Sequence, residues 1–134
     1  MRQEKQTKIK KQTLDLNKKR LIWVFLVVLG IILIFTFIDF LIHLLKEEYA
    51  VPSYYFRNKI IFGTIIGFIA YLVFRKQKLL VKSLLFSLII SILLQIRYFL
   101  EGFPLSFVLL FLTVHFIILF PVSLIVFYLL NKSL

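Results

Sequence analysis

The chain has 134 residues, of which 61% are hydrophobic and 17% charged, with a formal net charge of +11 and no cysteine. That apolar excess excludes an ordinary soluble globular domain. The lack of cysteine excludes disulfides, thiolate nucleophiles, Cys-ligated zinc and iron–sulfur clusters. This composition defines a membrane protein, and the spans and loop charges read below make it all-α: a four-helix transmembrane bundle, up-down-up-down, with both termini cytoplasmic.

The first twenty residues, MRQEKQTKIKKQTLDLNKKR, hold eight of the seventeen Lys and Arg residues. They have almost no apolar period and no aromatic side chain to stack on bases, so no nucleic-acid partner is expected. They read as a basic cytoplasmic tail, 1–20, that sets topology and touches anionic lipid headgroups. Residues 21–134 form the transmembrane domain.

The first span, about 21–45, is broken only by Gly30, Thr36, Asp39 and His43. As a helix it is roughly 37 Å long, slightly more than the hydrocarbon core. LKEEYAVPS offers a poor signal-peptidase site, so this helix is expected to be retained. The second apolar run, Ile60 to Phe74, is short for a span, and taking its first turns from 54–59 gives a span of about 55–74 with Arg57, Asn58 and Lys59 near the interface. The third covers about 79–100, with Lys82 near one end and Gln95 and Arg97 near the other. EGFP, residues 101–104, makes a tight turn in which Pro104 opens the fourth span, about 105–130. Pro121 lies inside that span, frees the carbonyl of Ile117 and predicts a kink there.

Loop charge sets the orientation. Segments 1–20, 75–82 and 131–134 carry thirteen Lys and Arg residues, against four (Lys46, Arg57, Lys59 and Arg97) on the other side. The positive-inside rule then places both termini in the cytoplasm of a multi-pass cell-membrane protein. Trp23, Tyr71 and Tyr128 fall near the inner interface, and Tyr49, Tyr54, Tyr55 and Tyr98 near the outer one.

Helices in lipid associate through close packing and interhelical hydrogen bonds, so small and polar residues mark their interfaces. Gly63 and Gly67 form a GxxxG pair that Ala70 extends. Ser83, Ser87, Ser91 and Gln95 recur every four residues along the third span. These two faces are expected to meet each other, within the chain or in a second copy. A polar path along the serine stripe is the functional alternative.

Thr36, Asp39 and His43 share one helical stripe, with Asp39 about 10 Å below the wet end at Lys46. Arg57, Asn58 and Lys59 arrive in the same outer half, as do Gln95, Arg97 and Glu101, and Arg97 and Glu101 are spaced to pair on their own helix. Asp39, His43, Arg57, Asn58, Gln95, Arg97 and Glu101 are therefore candidates for one outer polar cluster. His115, eleven residues past Pro104, falls roughly 16 Å into its span, near the midplane, as a separate proton, ion or ligand candidate hydrogen-bonded to a neighbouring helix. No HExxH pattern is present and the two histidines differ in depth, so neither a metal nor a cofactor is expected.

No nucleophile elbow, phosphate loop or paired-aspartate motif occurs, and no catalytic residue is assigned. The leading function is a non-catalytic membrane subunit that packs against itself or a membrane protein partner, with the polar cluster as a structural lock. The alternative is a small oligomeric transporter or channel for a proton, cation or small solute. The third is a membrane enzyme acting on a lipid headgroup, with Asp39 and His43 as acid and base and Arg57 or Arg97 holding phosphate.

Overall fold

A computed structural model describes residues 1–133 of the chain. It is all-helical: α1 (Arg2–His43), α2 (Tyr54–Phe74), α3 (Leu79–Leu100) and α4 (Leu105–Ser133) form a bundle, and each is long and apolar enough to cross a membrane. Most side chains left exposed along the bundle are Leu, Ile, Phe and Val, including Leu33, Phe37, Phe62, Ile92 and Ile117. In water such a surface is an aggregation liability, whereas facing lipid it costs nothing.

Paired contacts run in opposite register along successive helices. Gly63 and Gly67 of α2 face Ile32 and Val28 of α1, and Ser87 and Gln95 of α3 bond Ser123 and His115 of α4. Consecutive helices are therefore antiparallel, and α4 closes the ring against α1. The N-terminal half of α1, the end of α4 and the 75–78 connection share one end of the bundle, called here the proximal end. The 44–53 and 101–104 connections share the other, the distal end.

The turn at 101–104 ends α3 in a Schellman arrangement. The Phe103 N–H donates to the Tyr98 carbonyl and the Gly102 N–H to that of Phe99, each at 3.2 Å. Gly102 has φ of 86°, the left-handed conformation that this motif requires and that glycine adopts without a Cβ penalty. The Phe103 ring then packs edge-on against Tyr98 at 5.4 Å, supplying the motif's usual apolar contact.

The basic segment expected to be a tail is the first half of α1, a single 42-residue helix. It is exposed through Trp23. Since the other helices have 21, 22 and 29 residues, α1 projects well past the proximal end.

The glycine face and the serine stripe do not pack on one another as expected. A Cβ on Gly63 would come within 3.3 Å of Ile32 Cγ2, and one on Gly67 within 2.9 Å of Val28 Cγ1 and 3.1 Å of the Phe86 ring. The smooth face thus admits mainly α1, with Phe86 of α3 wedged beside Gly67, and Ala70 continues it as a buried position. The stripe faces α4 instead. Ser87 Oγ donates to the Ser83 carbonyl at 2.8 Å and lies 3.0 Å from Ser123 Oγ; Ser91 Oγ donates to the Ser87 carbonyl at 2.7 Å. Ser123 Oγ in turn donates to the Phe120 carbonyl at 3.0 Å, so each hydroxyl proton has an acceptor on its own helix and either serine can supply the proton of the interhelical contact. Helix α4 continues through Pro121, which is exposed.

Candidate functional site

The site is built around Asp39, which is wholly buried one turn before the end of α1. The ammonium of Lys59, from α2, donates to Asp39 Oδ2 and lies 3.5 Å from His43 Nε2. His115, from α4, donates from Nε2 to Asp39 Oδ1 at 3.0 Å, and Gln95, from α3, donates from its amide nitrogen to His115 Nδ1 at 2.9 Å. One carboxylate therefore ties α1 directly to α2 and α4, and reaches α3 through a single imidazole.

The hydrogen-bond partners assign the tautomers. His43 Nδ1 lies 2.5 Å from the Tyr49 carbonyl, which only accepts, so Nδ1 carries a proton, and Nε2 faces both Asp39 Oδ2 at 3.4 Å and the Lys59 ammonium at 3.5 Å. His115 has the opposite tautomer, because the carboxylate takes its Nε2–H. The Asp39 carboxylate and the Lys59 ammonium form a buried ion pair whose two charges cancel. An ion pair this dry costs several kcal/mol per ion in lost hydration, so it persists only where geometry and further hydrogen bonds offset that loss. Here Asp39 receives at least two donors and Lys59 finds two acceptors.

An aromatic shell keeps water out. Phe111 stacks flat on His43 at 4.2 Å between centroids, with 1° between the planes, and Phe35 stands edge-on to His115 at 5.1 Å. The rings of Phe56 and Tyr98 each lie 5.2 Å from the Lys59 ammonium, adding cation–π attraction. The 44–53 connection, with a 3-10 turn at Glu47–Tyr49, folds over the distal end and brings both the Tyr49 carbonyl and the Tyr49 ring, 5.4 Å from Phe111.

Of the sequence candidates, Asp39, His43, Gln95 and His115 come together. Arg57 is exposed and takes no part. Arg97 pairs with Glu101 on its own helix at 3.1 Å, as its spacing predicts, and covers the Tyr55 ring at 5.3 Å, away from the carboxylate. Asn58 is half-buried and lines, with Lys59, Arg97 and Tyr98, a groove of about 300 Å³ between α2 and α3. Lys59 is the residue the candidate set lacks. Its signal is its face: Tyr55, Lys59, Gly63 and Gly67 recur every four residues, so Lys59 lies on the buried stripe that the glycines announce, and Arg57 and Asn58 lie off it.

The expected separation in depth between His115 and the Asp39 pair does not occur. Phe107 and Phe111, in the first two turns of α4, pack against Tyr98, Phe103 and His43 near the chain reversal, so His115 is level with Asp39. Ligating atoms of Asp39, His43 and His115 consequently lie within 4.8 Å of one another, and the depth argument against a metal fails. The donor chemistry decides the fit. Zinc suits two imidazoles and a carboxylate, but His43 Nε2, the one imidazole nitrogen of the three-residue group with no close hydrogen bond, already faces the Lys59 ammonium at 3.5 Å. His115 is engaged through both nitrogens, and the Lys59 ammonium already holds the cation position at Oδ2.

Among the described residues, four buried polar atoms without a hydrogen-bond partner accompany the site or the stripe below it: Thr36 Oγ1, Ser83 Oγ, Gln95 Oε1 and the Tyr98 hydroxyl. Fold and site together define a bundle of four potential membrane-spanning helices closed around one buried ion cluster. Compared with known protein families, curated proteins and solved structures, the chain matches none of them.

Proposed function

We propose that this chain is a small polytopic protein of the cell membrane with both termini on the cytoplasmic side, acting as a non-catalytic membrane subunit that packs against itself or another membrane protein. The observation that carries this reading is the closure of the Asp39 cluster. Its two charges cancel, its imidazoles are engaged, and its connections reach all four helices. Such an arrangement holds helices in register and offers no ready nucleophile. The lipid-facing apolar surface supplies ample area for a partner, and the thirteen-to-four distribution of Lys and Arg supports the orientation.

Because the chain has no cysteine, orientation is read by single introduced thiols. A membrane-impermeant maleimide applied outside intact cells is expected to label Glu47→Cys and to spare Lys8→Cys and Gln77→Cys; the reverse pattern would overturn the orientation. Subunit behaviour is tested by crosslinking in native membranes before extraction. Recovery of a strictly monomeric chain with no partner, from membranes and from several mild detergents, would refute the subunit reading.

A second reading, a proton or cation carrier, draws on the close approach of Asp39, His43 and His115 beside the groove at Lys59. It requires flux in proteoliposomes that Asp39→Asn abolishes.

A further inference from the structure

The proximal end holds a second cluster of charge that the Asp39 site leaves unused. A cavity of about 760 Å³ opens there among all four helices, lined by Arg20 and Asn17 of α1, Arg75 and Lys76 after α2, Lys82 of α3 and Asn131 of α4. Its deeper wall is apolar, from Leu21, Val24 and Leu72. It contains four cations and no carboxylate.

Lys82 sets this cavity apart from a merely basic surface. It is only 3% exposed although it lies in the first turn of α3, nearer the end of the bundle than Lys59. Lys59 has Asp39, but no carboxylate among the described residues pairs with Lys82. Its ammonium stands over the rings of Tyr71 and Phe127, at 5.2 and 5.5 Å. Ring faces give part of what an anion gives, but they do not neutralise the charge. The bundle thus buries two lysines and supplies a counter-ion for only one. Helices α2 and α4 end beside the cavity, and about half an elementary charge at each C-terminus leaves the balance strongly positive.

We infer that this cavity binds a phosphate-bearing anion, with Lys82 as its buried anchor. Two guanidiniums offer forked donors matched to phosphate oxygens, two lysines add compact charge, and the amides of Asn17 and Asn131 add donors at the mouth. Four cations suit a group with more than one negative charge and several acceptors, which a single carboxylate does not provide. The volume falls in the range of small-molecule sites, so it holds a headgroup or phosphorylated solute rather than a bare ion. The apolar wall below the cations matches a ligand whose phosphate is joined to hydrocarbon, as in basic pockets between spans that take anionic lipid heads.

Native mass spectrometry of the full chain in uncharged detergent tests this, with dioctanoyl phosphatidic acid, dioctanoyl phosphatidylcholine and inorganic phosphate as probes. One phosphatidic acid per chain is expected, with little phosphatidylcholine. Lys82→Met should weaken binding by about tenfold or more, the loss of one buried charge-assisted contact. Arg20→Gln with Arg75→Gln, both at exposed positions, should do the same and decides the matter if Lys82→Met does not fold by circular dichroism. Lys46→Gln with Arg57→Gln removes equal charge at the distal end and should leave affinity unchanged. Lys82-dependent binding of phosphatidic acid alone identifies a lipid source. Equal dependence with inorganic phosphate identifies the anion itself as the ligand. Binding of phosphatidic acid and phosphatidylcholine alike, equal losses from proximal and distal variants, or no binding of any probe overturns the inference.

Discussion

Replacing Asp39 by Asn removes one negative charge and turns one acceptor into a donor without changing shape. In the native cluster Oδ2 accepts from Lys59 and Oδ1 from His115. The amide satisfies only one of them and sets an N–H₂ against the other, leaving a buried ammonium without a counter-ion. Breaking a buried pair on one side typically costs about 3–5 kcal/mol, roughly two to four powers of ten in the unfolding equilibrium. Lys59→Met should cost a similar amount, since it leaves the carboxylate in the same dry shell. The double variant, Asp39→Asn with Lys59→Met, removes both charges and should recover most of the loss, because replacing a whole buried pair is often close to neutral. The assay is reversible unfolding in mixed micelles, with SDS as denaturant and circular dichroism as readout, analysed as a double-mutant cycle. A single variant within about 1 kcal/mol of the parent, or a double variant as unstable as the sum of the singles, would refute the view that this pair locks the bundle.

Gly67→Ala should destabilise by about 1–3 kcal/mol in the same assay, because the new methyl meets the stiff Val28 side chain at 2.9 Å. Gly30→Ala, with nothing within 4 Å, should be neutral or stabilise by up to about 1 kcal/mol; matching effects at both glycines would show that close approach is not what Gly67 provides. Ser123→Ala should cost only about 0.6–1.7 kcal/mol, the usual worth of an interhelical hydrogen bond in a membrane protein. A loss as large as that of Asp39→Asn would move the lock to the serine stripe. Phe111→Ala opens a cavity over His43 and should cost about 3–5 kcal/mol, read as a lowered unfolding midpoint; an unchanged midpoint would mean the ring is not part of the seal.

The helices most legible in the sequence are those whose ends carry polar brackets. α3 spans Leu79–Leu100, as its apolar run predicts, and α2 begins within a residue of the expected 55. The N-terminal half of α1 was invisible because apolar periodicity reports burial, and a helix exposed all round buries nothing. Its Lys, Arg, Gln and Leu residues favour helix by propensity alone. At the site, grouping by the distal end brought in Arg57 and Arg97, which face away from Asp39, and Glu101, which caps α3 six residues beyond Gln95. Grouping by face selects Lys59, since each residue turns a helix by about 100° and two positions suffice to move a side chain to the far side. Counting residues from a proline misjudged His115, because helices of one bundle need not start level. The serine stripe announced an interface, and spacing within one helix carries no information on which neighbour fills it.

The length of α1 limits what its charges can do. Lys5 lies fifteen residues before Arg20, about 22 Å along the axis, while at physiological salt electrostatic attraction decays over about 8 Å. A rod without an apolar side has no reason to lie down on a bilayer. If Arg20 stands at headgroup level, only Lys18, Lys19 and Arg20 feel the lipid charge strongly, and the cluster from Arg2 to Lys11 is held at a standoff in open solvent. The same helix that supplies Asp39 to the buried cluster thus carries eight Lys and Arg residues on an exposed rod, spread over more than two screening lengths.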